Sequence, residues 1–84
     1  MATDRKSYEK YCRNFNEIHR RNEEDILVSV DGTGISKIYD CFGHVDANDD
    51  IVYDLEIVTK GGNYYHLWNV ADSRLVFKRK GESL

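Results

Sequence analysis

Ile51-Val52-Tyr53-Asp54-Leu55-Glu56-Ile57-Val58-Thr59 is the stretch that decides the fold. Ile51, Tyr53, Leu55 and Ile57 alternate with Asp54 and Glu56. That period of two belongs to an extended strand with one buried and one wet face, as in an antiparallel sheet. Polar turn signals bound it on both sides. Asp46-Ala47-Asn48-Asp49-Asp50 precedes it, and Lys60-Gly61-Gly62-Asn63 reads as a hairpin connection after it.

Working outward, Tyr64 to Val70 and Leu75 to Phe77 supply two more strands, joined through Ala71-Asp72-Ser73. Toward the N-terminus, Ile26, Val28 and Val30 alternate, and Asp31-Gly32 suits the φ > 0 geometry of a tight hairpin. Residues 35–45 carry two signals. Ile35, Ile38, Tyr39 and Phe42 have helical spacing, but the β-branched and aromatic content favours a strand, which we adopt. Residues 4–22 read as a helix, because Tyr8, Tyr11, Cys12, Phe15 and Ile18 fall on one stripe. Thr3 or Asp4 suits its N-cap, and Arg20 and Arg21 suit the negative end of its dipole. The expected fold is therefore α+β: one amphipathic helix packed on an antiparallel meander of four to five strands. It forms a single domain over residues 1–84, with the sheet spanning about 26–78 and residues 79–84 as a frayed tail.

No run of 18 apolar residues suggests a membrane span. The charged start, Met1 to Lys6, lacks the apolar core of a signal peptide. A cytoplasmic, reducing location is expected, with Cys12 and Cys41 as free thiols.

Charge is segregated along the chain. Residues 1–22 hold six basic and three acidic side chains, residues 23–56 one basic and ten acidic, and residues 57–84 five basic and two acidic. The lone cation of the acidic segment is Lys37.

Several chemistries can be weighed on spacing. Asp46, Asn48 and Asp50 open like a calcium-binding EF-hand loop, but Ile51 stands where glycine is needed and Ile57 where a bidentate glutamate is needed. Cys41-Phe42-Gly43-His44 has zinc-like spacing, with Cys12, His19 and His66 as further ligands, yet no second pair is closely spaced. Asp31-Gly32-Thr33-Gly34 is a turn without the phosphate-loop pattern. His19, His44 and His66 give raw material for acid–base work, but no residue is marked as an activated nucleophile. The expectation is a non-enzyme with no cofactor and no metal.

Two features point to binding. Tyr64, Tyr65 and Trp68 crowd one strand, where burial is the commoner fate of such rings and an exposed anchor is the functional alternative. The acidic centre would attract a basic partner and repel phosphates. The first expectation is thus a small non-catalytic interaction module, an inhibitor or adaptor of the general character of phage-type antagonists. It would present Asp46, Asp49, Asp50, Asp54, Glu56, Tyr64 and Trp68 to a basic protein surface, such as one that grips nucleic acid. A free edge strand would also let two copies pair as a homodimer.

The second expectation is a small nucleic-acid-binding β-barrel. A helix followed by five strands is the element order of Sm-like folds, and the sheet could close as in SH3-like barrels. The glycine and asparagine signatures of Sm proteins are missing. That reading would use Arg5, Lys6, Arg13, Arg74, Lys78, Arg79 and Lys80 for phosphates and Tyr64 or Trp68 for stacking.

Overall fold

The computed structural model describes residues 5–81; the N-caps suggested above and the last three residues lie outside them. The order is α1 (Arg5–Glu24), β1 (Asp25–Val30), β2 (Thr33–Val45), β3 (Ile51–Thr59), β4 (Tyr64–Ala71), a 3₁₀ turn (Asp72–Arg74) and β5 (Leu75–Arg79). The α+β fold is as expected, one helix on a five-stranded antiparallel sheet. Residues 35–45 are strand throughout. No helix among the described residues is long and apolar enough to cross a membrane.

The sheet order is β4-β3-β2-β1-β5. The meander runs through four strands, and β5 then returns to pair with β1, placing Leu75 opposite Val30 and Arg79 opposite Asp25. β4 and β5 are the two sheet edges, so the sheet stays open between them. β5 extends through Arg79, and the Lys80 N–H donates to the Glu24 carbonyl, so the chain is still held where fraying was expected.

The local reasons are legible. Asp31 and Gly32 both have positive φ, 52° and 80°, which is the two-residue turn that matches strand twist. β1 pairs with β5 along its whole length but with β2 only at Ser29–Gly34 and Val30–Thr33. The rest of β2 pairs with β3 alone. The core lies on the inner face, where Tyr53, Leu55, Ile57 and Val70 are 1% exposed. The remainder is Ile18, Leu27, Val30, Ile51 and Leu75, backed by Cys41 and Phe77.

The helix corrects one expectation. Of the predicted stripe, only Ile18 is buried; Tyr8, Tyr11 and Phe15 stay 62, 42 and 45% exposed. The helix instead turns Lys10, Asn14, Ile18 and Arg21 toward the strands. Lys10 Nζ lies 2.7 Å from Asp50 and Asn14 donates to the Asp49 carbonyl, which fixes α1 to the β2–β3 turn. Ile18 meets Gly43 across a close approach. A Cβ at Gly43 would stand 2.7 Å from the Tyr53 ring and 3.0 Å from Ile18, so only glycine lets the helix sit this low. Polar anchors at both ends of α1 replace the wide apolar seat that the stripe implied.

A bare aromatic and acidic sheet face

Gly43 and Tyr53 face the helix, so their strand neighbours face away. The outer face of β2, β3 and β4 carries Asp40, Phe42, His44, Asp54, Glu56, Tyr64, His66 and Trp68. Cα register aligns Asp40 with Glu56, Phe42 with Asp54, and Glu56 with His66. The rings are largely open to solvent. Tyr39, Phe42, Tyr64 and Trp68 remain 55, 58, 54 and 63% exposed. Of the two fates open to the β4 rings, exposure holds: Leu67 turns inward, while Tyr64, His66 and Trp68 turn outward.

Besides a register slip between Ile35 and Lys37 early in β2, two β-bulges shape this face. The register slips between Ile38 and Asp40, leaving Tyr39 as the extra residue of β2. A second slip opposite Asp54 inserts a residue in β4 at Trp68–Asn69, where Asn69 takes φ 54°. Bulges of this kind bend a strand and re-aim its side chains. Asp54 ties the second one down: its Oδ1 accepts the Asn69 N–H at 3.0 Å and lies 3.2 Å from His44 Nε2. The Asn69 N–H, and after it the imidazole, hold the Asp54 carboxyl below the usual aspartate range. An ionised Asp54 can only accept, so His44 Nε2 carries the proton of that contact.

The rings are ordered among themselves. His66 stacks on Trp68 at 4.2 Å between centroids, and Phe42 on His44 at 5.6 Å. The Tyr64 hydroxyl donates to Glu56, and that bond pushes the phenol above its ordinary range. Tyr39 and Tyr64 meet at 6.5 Å, tilted by 56°.

The predicted site residues are thus divided. Asp54, Glu56, Tyr64 and Trp68 share the outer face. Asp46, Asp49 and Asp50 belong to the β2–β3 turn under α1. Asp46 Oδ1 is engaged there by the Asn48 and Asp50 N–H groups, at 2.8 and 3.0 Å, as in an Asx turn. Asp50 is paired with Lys10.

The wider acidic segment is divided in the same way, because folding returns the basic ends to it. Asp25 lies 2.9 Å from Arg20 and 3.8 Å from Arg79. Asp31 meets Arg74 at 2.7 Å, and the guanidinium holds that carboxyl below its usual range. Glu24 meets Arg20 and Arg79. By contrast, no described lysine or arginine forms an ion pair with Asp40, Asp54 or Glu56.

Four of the seven residues that the nucleic-acid reading assigns to phosphates share this fate: Arg5 pairs with Glu9, Arg74 with Asp31 and Arg79 with Glu24, while Lys80 Nζ donates to the Asn22 carbonyl. The zinc-like spacing also dissolves in the strand. Cys41 packs against the inner core, whereas His44, three residues on, lies beside Asp54 outside. Burial, and secondarily Asp40, push the Cys41 thiol up to about 11.

A concavity of about 360 Å³ opens on the side of β4 toward β1 and the 3₁₀ turn. Val30, Ile57, Tyr65 and Leu67 line it, with the Asp31–Arg74 pair at its rim.

Asp40, Phe42, His44 and His66 are not among the partner-binding residues expected from the sequence. Treating residues 35–45 as a strand with Cys41 inward places the first three outside by alternation alone. Tyr39 gave no such signal, since a bulge cancels the parity that alternation relies on.

Comparison with protein-family models, with characterised proteins and with solved structures found no match.

Proposed function

We propose that the protein is a non-catalytic interaction module that docks a basic protein surface on the outer face of β2, β3 and β4. One observation carries this reading. Four large rings stay more than half exposed on the same face as three carboxylates that pair with no lysine or arginine among the described residues. A contiguous aromatic patch of this kind costs solubility unless something covers it, and exposed Trp and Tyr are the side chains that anchor interfaces. The carboxylates give the occupant its charge. A partner bearing lysine or arginine would meet Asp40, Asp54 and Glu56, and could stack its cations on the rings.

The nucleic-acid reading has less support. Its stacking residues stand among carboxylates that repel phosphate, and its arginines at 5, 74 and 79 are engaged elsewhere.

Affinity capture from the native host tests the docking reading. Wild type, Trp68→Ala and the double variant Asp54→Lys/Glu56→Lys would be compared at low and physiological salt. The expected result is a basic protein retained by wild type, released by added salt, and absent from both variants. A captured set unchanged by these substitutions would contradict the proposal.

A further inference from the structure

Lys37, the single cation of the acidic segment, sits with its Nζ 4.9 Å from the Tyr39 ring centroid. That distance is within the range of a cation–π contact. The bulge at Tyr39 brings this ring beside Tyr64, and Tyr64 in turn is held by its hydroxyl bond to Glu56. The Tyr39 ring therefore already carries an ammonium group from the same chain, and it has a second ring and a carboxylate as neighbours.

We infer that the Tyr39 ring, with Tyr64 and Glu56 beside it, is the seat for one lysine or arginine side chain of the partner, and that Lys37 occupies this ring in the free protein. The inference rests on the docking reading and adds a subsite to it. Nothing but the Tyr39 ring holds Lys37, for no carboxylate among the described residues pairs with it. A guanidinium has a planar face to lay on a ring and donors to offer Glu56, so it competes well for the position. Lys37 is then a placeholder. It keeps the rings partly covered and weakens binding by the contact that must be broken first.

The test uses an acetylated, amidated peptide of four arginines spaced by glycine, titrated at physiological salt and followed by Trp68 fluorescence. Trp68 is the sole tryptophan, so its emission reports on this face. Lys37→Ala is expected to bind the peptide about 2- to 5-fold tighter than wild type, and Tyr39→Leu about 2- to 5-fold weaker, the range for one exposed cation–π contact. Tyr39→Phe, which keeps the ring, should stay near wild type. Lys6→Ala removes the same charge beyond the β2–β3 turn. Tyr39 stands six strand residues from that turn, about 20 Å, well past the screening length. Lys6→Ala should therefore have a smaller effect than Lys37→Ala.

Equal shifts for Lys37→Ala and Lys6→Ala would overturn the seat while leaving the docking reading in place. So would a Tyr39→Leu protein of unchanged melting temperature that binds as wild type does. No Trp68 response in wild type or Lys37→Ala would overturn the docking reading and the seat with it. Should Tyr39→Leu fail to fold, the Lys37→Ala and Lys6→Ala pair decides alone.

Discussion

Asp25 and Asp54 are both strand aspartates, and their surroundings divide the molecule. Asp25 is at the start of β1 with its side chain 10% exposed, held between Arg20 of α1 and Arg79 of β5. Asp54 is mid-strand in β3 with its side chain 29% exposed, and its partners are a backbone N–H and an imidazole. The first belongs to a half in which helix, β1 and β5 exchange ion pairs. The second belongs to a half that leaves carboxylates and rings facing outward. One half uses its charges to hold itself together, and the other has charges left over for something else. Buried Tyr53 stands between them. Its hydroxyl finds no hydrogen-bond partner among the described residues; burial raises its pKa, and the nearby Arg21 guanidinium opposes that rise.

If this division is right, substitutions in the two halves should have opposite signatures. The largest effect is expected from Trp68→Ala on partner binding, a loss of about 2 kcal/mol or more, as for a central aromatic anchor. The same substitution should leave unfolding free energy within about 0.5 kcal/mol of wild type, as for an exposed site. Calorimetric titration and urea unfolding of one preparation would check both numbers.

Arg21→Ala should behave in the reverse way. Arg21 is 16% exposed, bonds Asp72 and Glu17, and lies 4.7 Å from the Phe77 ring centroid. Its loss should lower stability by about 1.5–3 kcal/mol, the range for hydrogen bonds to charged groups, with binding unchanged. Denaturant unfolding at fixed pH measures this. Arg74→Ala should give a smaller loss that fades with added salt, because its pair with Asp31 is half exposed on both sides.

The smallest effect concerns acid. A carboxyl with a lowered folded-state pKa contributes stability that is complete above its unfolded value and disappears as the pH falls through the folded one. For Asp54 that window opens at about 3.8 and runs downward. Asp54→Asn should therefore flatten part of the acid limb of a stability–pH curve and leave the curve near pH 7 parallel to wild type. Unfolding followed from pH 2 to 7 would show it.

The same division explains how much could be read beforehand. Ile51 to Thr59 announced β3 because apolar and acidic residues alternate without a break from Tyr53 to Ile57. Asp31-Gly32 announced the first hairpin because few residue pairs tolerate two positive φ angles. The core side of β3 and the outward aim of Asp54 and Glu56 followed from parity, whereas parity put Tyr64 and Trp68 on one face without saying which. The helix stripe misled because amphipathicity records where apolar groups lie, not how much partner surface exists. Here β1 leaves β2 early, and one close approach at Gly43 is all the room the helix receives. The acidic segment misled for a related reason. Counting charge along the chain does not reveal that β5 returns to β1 and carries its arginine back to Glu24 and Asp25. Tyr39 was illegible because its outward aim comes from a bulge, which the local sequence does not signal.

The central claim is that the exposed rings do not hold the fold. The direct measurement is the urea-unfolding free energy of the triple variant Phe42→Thr/Tyr64→Thr/Trp68→Thr, with threonine chosen because it keeps strand preference. The account predicts a loss of no more than about 1–2 kcal/mol, the worth of a few exposed cross-strand pairs, with an unchanged denaturant dependence. A variant that fails to fold, or loses several times that amount, would mean that this face is structural and contradict its assignment to a partner.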